Sequence, residues 1–345
     1  MKKNLLLLAV AVAALASCSN DETVSQNTTN NQPKEIGFSA FATPNTRAAV
    51  DGTTFPTTLD MMVTAYQVEA TGGSAGAYFD ATPFKYQYAG GSASGAGSYW
   101  GGDPAKYWPL TPAYINFLAI ANVNADNATG VTWGTNKADG VTIVMSDNST
   151  AQRDMMYAIG NGAVTQSGNT LTFFDKVDME FQHAQAWIDF KVKAKTSGVE
   201  TNIRINSITL NGAKYNGTYT VTHTNYNAKA SQSVSGAWSA LPAEGTNVVV
   251  PGWEAANLTT AFVTVGNGLM IVPDDDADTA DFTSFTINYT YDSKTYTYTY
   301  APASKSVDQK KHYIYEITFQ LHEIFINPTV ADWADQSATA VTIQE

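Results

Sequence analysis

Four histidines, one cysteine, a serine in a glycine-rich run and a cluster of aspartates are the side chains of this 345-residue sequence whose types and spacing could do chemistry. Gly72-Gly73-Ser74-Ala75-Gly76 has the G-x-S-x-G spacing of a nucleophile elbow. That elbow needs a buried strand before the serine and a helix after it to hold the strained turn. Ala77-Tyr78-Phe79-Asp80 and more turn residues follow instead, so the run reads as a surface loop. Asp274-Asp275-Asp276-Ala277-Asp278 opens like a calcium loop, but Thr279 and Phe285 stand where an EF-hand needs its glycine and its final glutamate. A solvated loop is expected there. His183, His223, His312 and His322 are isolated in sequence, with no Cys, Glu or second His at ligand spacing, so His183 reads as a hydrogen-bonded structural residue. Met155-Met156 reads as core filler. With no nucleophile–base pair, metal set or carboxylate pair at interpretable spacing, the expectation is a protein that is not an enzyme and takes no cofactor.

Two residues invite chemistry done to the protein rather than by it. Met1-Lys2-Lys3 is a basic start, Leu5 to Ala14 an apolar stretch, and Leu15-Ala16-Ser17-Cys18 a small-residue site ending in cysteine, the pattern of a secretion signal over residues 1–17. It matches the bacterial lipobox closely. Cutting before Cys18 would expose a residue that takes acyl chains on its thiol and its amine, and several chains anchor stably where one is marginal. Cys18 is the only cysteine, so lipidation leaves neither disulfide nor thiol nucleophile. The apolar stretch is too short for a stable transmembrane helix. The polar segment from Ser19 to about Lys34 reads as a tether.

The second residue is Arg47. Ile36, Phe38, Ala40 and Ala42 alternate with Gly37, Ser39, Phe41 and Thr43, a period of two that buries one face of a strand. Pro44-Asn45-Thr46 is turn chemistry, which places Arg47 on an exposed tip followed by the small Ala48 and Ala49. Such tips are where proteases nick.

The elements that carry these residues are strands. Gly, Thr, Ser, Asn and Tyr abound, and helix-period runs are missing. The length suggests about two domains. A net charge of -12 argues against nucleic acid as a partner. Strand patterns cover 60–68, 84–88, 114–121, 171–174, 186–192, 203–210, 217–221, 269–272 and 313–321. Over 203–210, Ile203, Ile205, Ser207 and Thr209 share one parity, and Asp175 to Asp178 reads as a charged turn. Phe285, Ile287, Tyr289 and Tyr291, the turn Asp292-Ser293-Lys294, then Tyr296, Tyr298 and Tyr300 form the clearest hairpin.

The sequence resembles the fimbrillin family, the subunits of type V pili of Bacteroidota. The resemblance rests on the lipobox and Arg47, Tyr107-Trp108-Pro109 before an aromatic-aliphatic strand, Asp154-Met155-Met156-Tyr157-Ala158 and Phe181-Gln182-His183-Ala184 entering a strand. Further along, Leu269-Met270-Ile271-Val272-Pro273 and, after Asn327-Pro328, Val330-Ala331-Asp332-Trp333 match as well. Asp21-Glu22, just behind Cys18, is similar to the surface-export signal of lipoproteins in these bacteria.

The resemblance implies an all-β protein of two tandem antiparallel β-sandwich, transthyretin-like domains. Residues 18–47 would be tether and removable first strand, 48–177 the N-terminal domain and 178–345 the C-terminal domain. It further implies an outer-membrane lipoprotein held by lipid on Cys18 and cut between Arg47 and Ala48 by an Arg-specific protease. Joined to other fimbrial subunits, its own copies or paralogues, it would be a structural subunit of a surface fimbrium. Residues 36–42 are expected at an edge of the N-terminal sheet, where their release leaves a groove. Residues 334–345, with Val341 and Ile343 at alternate positions, have the character of a donor strand, or else form a last strand and tail. The competing reading is a tip adhesin or glycan-binding surface lipoprotein, in which exposed Trp or Tyr stacks on a host or glycan ligand.

Overall fold

The computed structural model describes residues 32–42, 55–69, 76–79, 83–89, 99–124, 128–229, 231–274, 280–320 and 323–332. Apart from one 3-10 turn at Val199–Asn202, every regular element among them is a strand, and the protein is all-β. The first half runs through β1 (Phe38–Ala42), β2 (Met61–Glu69), β3 (Phe84–Tyr88), β4 (Trp100–Asp103), β5 (Ala113–Ala121), β6 (Ala128–Trp133), β7 (Gly140–Met145), β8 (Met156–Ser167), β9 (Thr170–Phe173) and β10 (Val177–His183). The second runs through β11 (Ala186–Ala194), β12 (Arg204–Ala213), β13 (Gly217–Thr224), β14 (Ser233–Ser239), β15 (Thr246–Val249), β16 (Ala256–Asn257), β17 (Val263–Thr264), β18 (Leu269–Ile271), β19 (Ser284–Tyr291), β20 (Lys294–Tyr300), β21 (Lys311–Gln320) and β22 (Glu323–Asp332).

Strands β10, β1, β4, β3, β2, β5 and β8 lie side by side in that order, with β9 beyond β8. Because β10 also pairs with the start of β8, at Gln182↔Tyr157 and His183↔Met156, the sheet closes on itself. Its interior is packed with Ile36, Phe38, Tyr86, Trp100, Phe117 and Phe181, among others. Strand β5 is buried on both faces. Ile115, Phe117 and Ala119 face this interior, whereas Leu118 and Ile120 meet Val141, Ile143, Tyr219 and Trp238 of the sheet β14-β13-β7-β6. Two-sided burial is why 117–121 reads as a continuous apolar run. That second sheet draws on both halves of the chain, since β13 pairs with β7 from Gly217↔Met145 to Thr222↔Gly140.

The remaining strands form two sheets, β17-β11-β21-β22 with β18 beside β11, and β15-β12-β19-β20 with β16 beside β12. Phe190, Ile208, Leu210, Phe285, Ile287, Tyr315 and Ile317 form the core they share. The β19–β20 hairpin is the one read from sequence, from Phe285↔Tyr300 to Tyr291↔Lys294. Its two loop residues, Asp292 (φ 47°) and Ser293 (φ 58°), both take the positive φ that a type I′ turn demands.

Three local expectations are corrected. Strand β12 carries a bulge between Ile205↔Tyr289 and Ser207↔Asn288, so Ile208 and Leu210, not Ser207 and Thr209, continue the core face of Ile205. One extra residue exchanges the faces. The turn expected at Asp175 to Asp178 gives way at Val177 to β10, in which Val177, Met179 and Phe181 are buried and Asp178 and Glu180 exposed. Finally, β1 is not at an edge: β10 lies on one side of it and β4 on the other.

Fully buried Asp281 accepts backbone N–H bonds from Asp274 (2.5 Å) and Val307 (2.7 Å). Burial pushes its carboxyl up to about 6, against the pull of these two bonds and of Lys214. The native state therefore keeps this proton up to about pH 6, whereas the unfolded chain releases it near 4. The stability tied to that proton is fully present below about pH 4 and is lost as pH rises through about 6, on the order of 2–3 kcal/mol. Thermal denaturation of wild type and Asp281→Asn across this window checks the sign. The wild type should lose stability with rising pH relative to the variant.

Candidate functional site: the seat of the first strand

The residues that lead into β1 are held by backbone first. Ile36 N–H donates to Lys106 O at 2.7 Å, Trp108 N–H donates to Lys34 O at 2.9 Å, and Glu35 faces Tyr107 in an antiparallel bridge. Lys34 Nζ lies 2.7 Å from Asp175 Oδ1, an exposed pair that contributes little. Strand β1 then runs parallel to β10 from Phe38↔Val177 to Ala42↔Phe181, and Val177 N–H donates to Gly37 O at 2.9 Å. Against β4 it pairs only at Phe38↔Trp100. One flank is long and the other short.

Alternation along the strand holds for its large side chains, while Gly37 and Ser39 on the other face are covered as well. Ile36, Phe38 and Ala40 are buried in the closed sheet, and Phe41 on the other face is 43% exposed. The Phe38 ring meets Tyr86 at 4.6 Å and Phe117 at 5.2 Å, both edge to face. Phe55 packs beside this group, 5.3 Å from Trp100 and 4.6 Å from Phe181. The Tyr86 hydroxyl is buried without a hydrogen-bond partner, and burial raises its pKa.

Gly37 lies under a ring. A Cβ at this position would stand 1.8 Å from Cε2 of Tyr99, so no other residue fits while that ring stays in place. Burial, and then Glu35 beside it, push the Tyr99 hydroxyl up to about 12. Trp100, the next residue, is fully buried. Sequence periodicity places Gly37 on the outward face but gives no sign of Tyr99, which comes from a different strand junction.

Cys18, Arg47, Ala48, Val341 and Ile343 all lie outside the described residues, as do Ser74, His322 and Asp275 to Asp278. Gly76 is exposed beside the Tyr66↔Ala77 bridge. Asp274 pairs with Lys214 at 3.0 Å. The other three histidines have partners that sequence spacing did not reveal. His183 Nδ1 lies 2.8 Å from buried Asp154, the structural role expected of it. His312 Nε2 lies 3.0 Å from Asp189, with its ring stacked 4.1 Å from Trp187. His223, whose pKa burial lowers, sits between Ala138 O at 2.7 Å and Gln232 Oε1 at 2.9 Å. Among the described residues no three His, Cys, Asp or Glu side chains converge as a metal site would require. The feature with the most specific geometry is thus a seat that recognises an extended strand, through backbone hydrogen bonds along its flanks and side-chain pockets on alternate positions.

A family model described as fimbrillin-like matches residues 46–333. No curated protein matches the sequence. Among solved structures, the chain is similar to a fimbrial protein from Bacteroides vulgatus, at 15% identity and a TM-score of 0.50 over 87% of this chain and all of that one. A candidate cell adhesion protein from Bacteroides ovatus gives the same identity and score over 89% of this chain and 100% of its own. The tip fimbrial protein Mfa3 from Porphyromonas gingivalis, with a C-terminal truncation, is 14% identical with a TM-score of 0.46, covering 88% of this chain and 100% of that one. At these identities the likeness is one of fold.

Proposed function

The chain belongs to the fimbrillin-like family, and we propose that it is a structural subunit of a cell-surface fimbrium, assembled by exchanging its first strand for a strand of a neighbour. In this reading the precursor is exported as a lipoprotein through Cys18 and held at the outer membrane. An Arg-specific protease cuts between Arg47 and Ala48, and β1 leaves with residues 18–47. The residues 334–345 of a subunit, with Val341 and Ile343 inward, are donated to the next.

The observation that carries the reading is the position of β1. It completes a closed sheet between β10 and β4 and fills its interior with Ile36, Phe38 and Ala40, so its departure opens both an apolar groove and the line of backbone groups along β10. A groove of that kind demands a strand.

Mass analysis of the N-terminus in intact fibres tests the first step, and the expected mature protein begins at Ala48. Deleting residues 334–345 tests the second. The truncated subunit should still fold and be cut, yet end every fibre that it enters. Fibres of normal length from cells expressing only the truncated form would rule out the C-terminal donor.

A further inference from the structure

We infer that Tyr99 selects the strand this seat accepts, admitting only one with glycine between two apolar residues, and that the donor is therefore a subunit of different sequence. The inference rests on the strand-exchange reading above and narrows its partner. Occupied by its own β1, the seat takes Ile36 and Phe38 inward and passes the residue between them under the Tyr99 ring. Any Cβ there meets Cε2 at 1.8 Å and the neighbouring ring carbons Cδ2 and Cζ at 2.7 Å. The ring is anchored through its backbone. Tyr99 O accepts from Ala89 N–H at 2.9 Å, and Trp100, its chain neighbour, is fully buried against Phe55.

The chain's own C-terminal residues do not meet the requirement. Residues 334–345 contain no glycine, and their one pair of large apolar residues at alternate positions, Val341 and Ile343, encloses Thr342. This holds for either direction of insertion, because the residue between the pair is the same read forwards or backwards. A β-branched side chain then falls where the ring stands. Copies of this chain do not join head to tail through this seat. Its own tail serves a neighbour whose seat is open at that point, and its seat receives a glycine-bearing strand from another subunit.

The test uses the full chain, cut after Arg47 so that the first strand stays seated without a covalent tie. Three fluorescent peptides are offered in exchange: residues 34–42, the same peptide with threonine at the Gly37 position, and residues 334–345. On the wild-type seat the glycine peptide should bind at least tenfold more tightly than either of the others. In Tyr99→Ala the preference for glycine over threonine should shrink to within about threefold. Equal binding of the glycine and threonine peptides to the wild type, or tight binding of 334–345, overturns the selection by Tyr99 and leaves strand exchange standing. If even the glycine peptide fails to exchange, the replaceable strand itself is wrong and the inference falls with it.

Discussion

Arg47→Ala should leave the protein on the outer membrane as a folded, lipid-carrying monomer, with fibre formation lost rather than slowed. While the chain is intact, β1 is tethered to its seat, and a short covalent tether holds a segment at an effective concentration on the order of mM. A competing strand from a subunit at micromolar concentration starts on the order of a thousandfold behind. It must also displace Ile36 and Phe38, each worth about 1.5–3 kcal/mol in burial, and the hydrogen bonds to β10. Cleavage removes the tether and turns the contest into one between two free strands. Membrane fractionation, electron microscopy of the cell surface and the mass of the N-terminal peptide together read the outcome. Normal polymerisation of the variant would mean a second cleavage site, or a subunit that is used uncut.

How far the sequence reached follows a physical boundary. Periodicity reports which side of a strand is buried, and it did so for Ile36, Phe38 and Ala40 and for Phe285 and Ile287 of the β19–β20 hairpin, whose turn lies inside the same short window. It does not report which strand lies alongside. That β1 runs parallel to β10, or that β13 completes a sheet with β7, depends on partners scores of residues away, whose pairing leaves no trace in either segment alone. The bulge in β12 shows a second boundary, because a single unpaired residue near Asn206 exchanges the faces of all that follow while leaving the composition unchanged. The site divides in the same way. The apolar alternation of Ile36, Phe38 and Ala40 could be read directly, but the ring of Tyr99 over Gly37 could not, since it arises only when two distant segments are brought together. The alternation of Val177, Met179 and Phe181 was there to be read, and the charges at Asp175 and Asp178 masked it.

Phe38→Ala should separate the two lives of the protein. In the uncut chain Phe38 is fully buried with its ring against Tyr86 and Phe117, so truncation removes apolar burial and leaves a cavity in a closed sheet. Such changes cost about 3–5 kcal/mol. Urea denaturation of the full-length precursor should show a loss of that size, and protease should reach β1 more readily. Phe41→Ala is the matched control, on the same strand but 43% exposed, and should change stability by no more than about 0.5–1 kcal/mol. Once cleavage and exchange are complete, residue 38 is no longer part of the assembled subunit, and fibres that form from the Phe38→Ala precursor should match wild-type fibres in stability. A penalty found in the precursor and missing from the fibre requires that β1 has left. The same penalty in both forms would mean that β1 stays seated in the fibre, and strand exchange at this seat would have to be given up.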